Sequence, residues 1–168
     1  AGTSRALAYI NMASYETALP GMPYFISNEL KLKELDLPVL PHDVTKYDWN
    51  IAINACMSKT FEHFLINKNV QHTVLIKNLE INLLDHYSNG VSQEIINNSV
   101  EWGRAVAGAV ISYAISDKEA ESQILDAQPQ SYVAPVGQGL WQPTDGNRAL
   151  FPYWGSVRTF ANFGKDLE

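Results

Sequence analysis

The chain has 168 residues, 46% hydrophobic and 18% charged, with a formal net charge of −6 and a pI near 5.2. That length supports one domain with a sizeable core, and the composition is too ordinary for long disorder or a low-complexity tract. The 8 Lys and 4 Arg are spread along an acidic chain, which excludes non-specific nucleic-acid binding and docking on anionic lipid, because both need clustered cations.

One cysteine, Cys56, excludes an internal disulfide and reads as a buried thiol on a helix. No run of 18 apolar residues exists, so no transmembrane segment is expected, and no signal peptide is visible.

The spacing predicts a first helix over residues 4 to 18, with Ala6, Ile10, Ala13 and Thr17 on one face and Leu7 beside them. Thr3 or Ser4 is the candidate cap, and Pro20-Gly21 the stop, with the glycine in a left-handed turn. Four of the eight prolines fall in residues 20 to 44, which read as irregular with a short helical piece near Glu29 to Leu35. A second helix is expected over 46 to 66, capped by Asp43 or Thr45, with Trp49, Ile53, Cys56, Met57, Thr60 and Phe64 sharing a face. Leu75, Leu79 and Leu83 recur every four residues with Ile76 alongside, which predicts a third helix over 69 to 87, ended by Asn89-Gly90. The fourth, over 92 to 116, has Ser92 as cap and Ile96, Val100, Gly103, Ala107, Val110 and Ala114 along one stripe. An interior glycine costs a helix about 1 kcal/mol, so Gly103 points to a neighbouring backbone pressed close.

From Asp126 the texture changes. Residues 132 to 163 carry seven aromatics among prolines and glycines, with no helical or strand period. The fold class is therefore all-α: a helical bundle of about four main helices with a long Pro/Gly/aromatic-rich C-terminal irregular segment. Residues 1–168 read as a single domain, with helices over 1–125 and an aromatic tail over 126–168. A tail of that composition needs an apolar surface to lie on.

The chemistry-bearing motifs are missing. There is no His-Glu-x-x-His, Glu-x-x-His, phosphate loop, Gly-x-Ser-x-Gly or EF-hand loop. Gly137-Gln138-Gly139 lies between prolines, not at a strand-to-helix turn. His42, His63, His72 and His86 read as surface or boundary residues, with a cross-helix metal site from His63, His72 and His86 as the minor alternative. Glu16 reads as a solvated position or a buried carboxylate paired with Arg5 or Arg104. Arg148 and Arg158 flank the tail aromatics, where stacking or carbonyl capping is expected.

The order of segments adds a resemblance. Arg5-Ala6-Leu7-Ala8-Tyr9-Ile10-Asn11-Met12-Ala13-Ser14-Tyr15-Glu16, Glu101-Trp102-Gly103-Arg104-Ala105, Gly139-Leu140-Trp141-Gln142-Pro143-Thr144 and Pro152-Tyr153-Trp154-Gly155-Ser156-Val157-Arg158 resemble, in order, the N-terminal helical part of the vanadium-dependent haloperoxidase and type 2 phosphatidic acid phosphatase superfamily. In that family a Lys before an Arg-Pro, a Ser-Gly-His and a later Arg and His hold vanadate or phosphate. No Arg-Pro or Ser-Gly-His occurs here, and Lys165 is followed by Asp-Leu-Glu. The resemblance therefore implies no catalytic, cofactor-binding or metal-binding residue in this chain. Vanadate or phosphate is expected only for a missing C-terminal half. This chain would be the scaffold half of a haloperoxidase-like or acid phosphatase-like enzyme, inactive alone. Its tail would meet the missing half or a dimer mate, and the parent would be periplasmic or secreted. The alternative is a non-catalytic helical scaffold or protein-interaction domain.

Overall fold

In a computed structural model, residues 1–65, 70–142 and 148–160 are described. Five α-helices form, with no strand among the described residues: α1 Gly2–Ala18, α2 Trp49–Phe64, α3 Val70–Tyr87, α4 Gln93–Ser116 and α5 Lys118–Leu125. The expected helical bundle is present. Helices α1, α2 and α4 pack on one another, and α2–α4 is the largest of these interfaces. Helix α3 packs against α2, while the short α5 bridges α1 and α4.

Helix α1 buries Ala6, Ile10, Ala13 and Thr17 as the three-and-four spacing requires, but Leu7 is 44% exposed. The helix begins at Gly2, which places Thr3 and Ser4 inside the first turn, and neither caps it. Gly21 has no left-handed backbone. It is small because an added Cβ would stand 2.5 Å from the Trp49 indole nitrogen.

Asp48 caps α2, accepting from the Asn50 and Ile51 amides at 2.9 and 3.1 Å, whereas Asp43 caps the separate 3-10 turn Val44–Lys46. The buried side of α2 is carried by Ile51, Ala52, Ala55 and Cys56, while Ile53 and Met57 are only partly covered. The helix is central because it presents different faces to α1, α3 and α4.

Ser92 caps α4 through the Ile95 amide. Gly103 meets α2 as its smallness implied: an added Cβ would overlap the Ala52 carbonyl and lie 3.1 Å from the Cys56 amide nitrogen. Trp102, buried beside it, donates its indole N–H to the Thr17 carbonyl at 2.9 Å and so ties α4 to the end of α1.

Helix α5 falls inside the expected helical region 1–125 but past the last individual helix that the spacing predicts. Its buried residues are Ala120 and Gln123, which make no apolar stripe to read. Asp117 ends α4 and caps α5 through the Ala120 amide. Past α5, the structure turns repeatedly, with a 3-10 turn at Trp154–Ser156. Pro143, Thr144, Gly146, Phe163 and Lys165 lie outside the described residues.

Candidate functional site

A polar recess lies between α2, α3 and α4. Ser58, Lys59, Glu62, Lys77, Glu80 and Arg104 line an open cleft of about 420 Å³. Three cations scattered in the sequence thus meet in one place. Glu80 is the knot of the cleft. It accepts from Ser58 Oγ at 2.7 Å and from Arg104 Nη2 at 3.0 Å, while Asn54 Nδ2 donates to its backbone carbonyl at 2.9 Å. Lys59 Nζ donates to the Arg104 carbonyl at 3.0 Å.

These bonds decide what the cleft can do. The Ser58 hydroxyl is spent on a carboxylate, with no histidine poised to take its proton, so it is not an activated nucleophile. Arg104 is neutralised by Glu80, and Glu62 adds a second negative charge. An oxyanion needs several unpaired donors converging on it, and this cleft does not supply them. Its bonds instead fasten α3 to α2 and α4.

Beside the polar cleft, sharing Ser58 and Glu80, runs an apolar groove of about 170 Å³ walled by Ile53, Met57 and Phe61 of α2 and Ile76, Leu79 and Leu83 of α3. The expected core stripe of α3 is therefore only half used. Leu75 and Leu79 are 65% and 52% exposed, and Val74 and Ile81 on the same helix are also exposed.

A second polar centre closes the base of the bundle. Asp117, whose side chain is 5% exposed, accepts from Arg5 Nη2 at 3.3 Å and from the Arg158 amide at 2.9 Å. Arg5 also donates to Tyr9 Oη at 3.0 Å and lies over the Phe160 ring at 4.2 Å. Arg158 lies 4.0 Å over the Tyr113 ring and donates to the Tyr113 carbonyl at 2.7 Å, so it both stacks and caps the last turn of α4. Burial raises the pKa of Tyr9, and the Arg5 hydrogen bond opposes that only in part. Apart from the buried Arg158 Nε, which has no partner, the donors named here serve internal acceptors, which suits a clasp within the chain.

Glu16 is buried as one of the two expectations had it, but with neither expected arginine. It accepts from Ser27 Oγ at 2.8 Å and from the Asn28 amide and Nδ2 at 2.7 and 2.8 Å. The buried carboxylate that Arg5 finds is Asp117, and Arg104 pairs with Glu80. Arg148 is exposed.

The histidines do not converge. His72 and His86 both lie on α3, 14 residues apart, a rise of about 21 Å. His63 Nε2 meets Glu121 Oε1 of α5 at 2.5 Å, and His42 is exposed. Among the described residues, no three of His, Cys, Asp and Glu gather to hold a metal ion. Burial pushes the Cys56 thiol up to about 11, so it is no thiolate nucleophile at neutral pH. Among the described residues, no helix is long and apolar enough to cross a membrane.

No family model, curated protein or solved structure matches this chain. The resemblance to the haloperoxidase and phosphatase superfamily rests on its sequence motifs.

Proposed function

We propose that this chain is the scaffold half of an enzyme resembling the vanadium-dependent haloperoxidases and type 2 acid phosphatases, with the oxyanion-binding half supplied by other sequence. The half-covered third helix carries the reading. Val74, Leu75, Leu79 and Ile81 stand exposed beside an apolar groove, although the four-residue repeat of α3 is that of a core helix. Leaving one such side chain in water forgoes roughly 1.5–3 kcal/mol of burial. The catalytic half of the same enzyme is the covering surface that the ordered family-like motifs favour. The outer part of the tail offers more of the same, with Val133, Val136, Leu140 and Trp141 all exposed. In this reading vanadate or phosphate binds in the other half, and the whole enzyme works in the periplasm or outside the cell.

Parallel assays test this. The natural protein, supplied with vanadate, halide and peroxide, or with a phosphomonoester, should turn over, and the 168 residues alone should not. Lack of both activities in the natural protein would reject the enzymatic reading. A non-catalytic scaffold or interaction domain is the second reading, favoured by the Arg5–Asp117–Arg158 clasp, which is completed within this chain.

A further inference from the structure

A pocket of about 250 Å³ opens between the proline-rich stretch before α2 and the first half of α4. Asn98, Glu101, Trp102 and Ala105 form its helical side, joined by three- and four-residue steps along one side of α4. Pro38, Pro41 and Tyr47 stand across from them.

The pocket combines an aromatic corner with an uncompensated negative charge. The rings of Tyr47 and Trp102 are 6.5 Å apart and inclined by 64°. Trp49 stacks on Tyr47 at 5.6 Å and holds it in place, and the His42 ring lies 6.3 Å from it. Glu101 is exposed and makes no hydrogen bond or ion pair among the described residues. Lys46, the cation of the neighbouring turn, is already paired with Glu94 at 3.2 Å. Tyr47 is 7% exposed, yet its buried hydroxyl has no hydrogen-bond partner. Burial raises the pKa of this hydroxyl, and the nearby His42 amide opposes that only in part. A buried hydroxyl left unpaired costs about 1–3 kcal/mol, so this corner is incompletely satisfied by the chain itself.

We propose that the pocket binds a small organic cation of the alkylammonium class, with Tyr47 and Trp102 as its aromatic wall and Glu101 as its counter-charge. A cation against aromatic rings gains from their quadrupoles, and more so once partly desolvated. Glu101 supplies the Coulomb attraction and disfavours anions. The proline rings and Ala105 give the methyl or methylene groups an apolar surface. This site is independent of the scaffold reading, because it lies away from the α3 face and needs no second polypeptide.

Choline and its neutral carbon isostere 3,3-dimethylbutan-1-ol separate charge from shape. Each is titrated into the full chain while the Trp102 indole N–H and the Ala105 amide are followed by NMR. Choline should shift both resonances saturably and bind at least about tenfold more tightly than the isostere. Glu101→Gln, at an exposed position without partners, should weaken choline by about tenfold, and Ala105→Leu should block the pocket to both molecules. Absence of a saturable response to choline, equal binding of the isostere, or unchanged binding in Glu101→Gln would each overturn the proposal.

Discussion

Gly103 of α4 rests against the Ala52 carbonyl of α2 with no space between them for a methyl group. This contact sets how closely the two largest packing partners approach. Gly103→Ala should therefore destabilise the protein by about 1–3 kcal/mol despite alanine's better helix propensity. Gly108→Ala is the matched control. There an added Cβ meets only the flexible Lys59 Nζ, at 3.2 Å, and a gain of about 0.5–1 kcal/mol is expected. Urea denaturation of both variants checks the contrast in sign.

Asp117 is the centre of the basal clasp, receiving Arg5, the Arg158 amide and the α5 cap. Asp117→Ala should cost about 3–5 kcal/mol, because the Arg5 guanidinium is left buried without its counter-charge. The double variant Arg5→Met with Asp117→Ala should lose less than the sum of the single variants. A double-mutant cycle by chemical denaturation measures that coupling.

The raised thiol of Cys56 predicts a pH dependence of fixed sign. Its folded value, about 11, lies above an ordinary value of 9.0. Between those values the unfolded chain loses the proton and the folded chain keeps it, so stability falls as pH rises. The loss attributable to this group approaches roughly 2–3 kcal/mol by pH 11. Buried Tyr9, also raised, adds a fall of the same sign at higher pH. Denaturation midpoints from pH 8 to 11 should show a shallower decline in Cys56→Ala than in the parent protein.

Helical periodicity made the core faces of α1 and α4 readable, because Ala6, Ile10, Ala13, Val110 and Ala114 all follow the three-and-four rule and all are buried. The cost of an interior glycine likewise revealed the close approach at Gly103. The polar assignments were harder. A buried carboxylate is recognisable as a type, but its partner depends on chain paths far apart in sequence: Arg5 reaches Asp117, 112 residues away, rather than Glu16 on its own helix. Helix α5 lay within the expected helical region but was not legible as an element of its own, because its buried side is an alanine and a glutamine. The α3 stripe was legible as apolar, but its sequence period did not show that α2 covers only one side of it. The charged cleft was missed because Lys59, Lys77 and Arg104 come from three helices.

Glu16 ties the irregular stretch after α1 to the bundle through Ser27 and Asn28. Glu16→Ala leaves the Asn28 amide without its acceptor, a loss of about 1–3 kcal/mol. Limited proteolysis should then cut within residues 20–44 sooner than in the parent, and Glu16→Gln, which keeps one acceptor oxygen, should fall between the two.

The scaffold reading turns on what covers Val74, Leu75, Leu79 and Ile81 of α3. The most direct measurement is the mass of the natural protein, first denatured and then under native conditions, against the 18.7 kDa of this chain. The account predicts either one much larger polypeptide or a tight complex with a second one. In both cases the added sequence should hold the Lys, Arg-Pro, Ser-Gly-His and late Arg and His of the oxyanion site. A monodisperse natural protein of 18.7 kDa with no companion would contradict it.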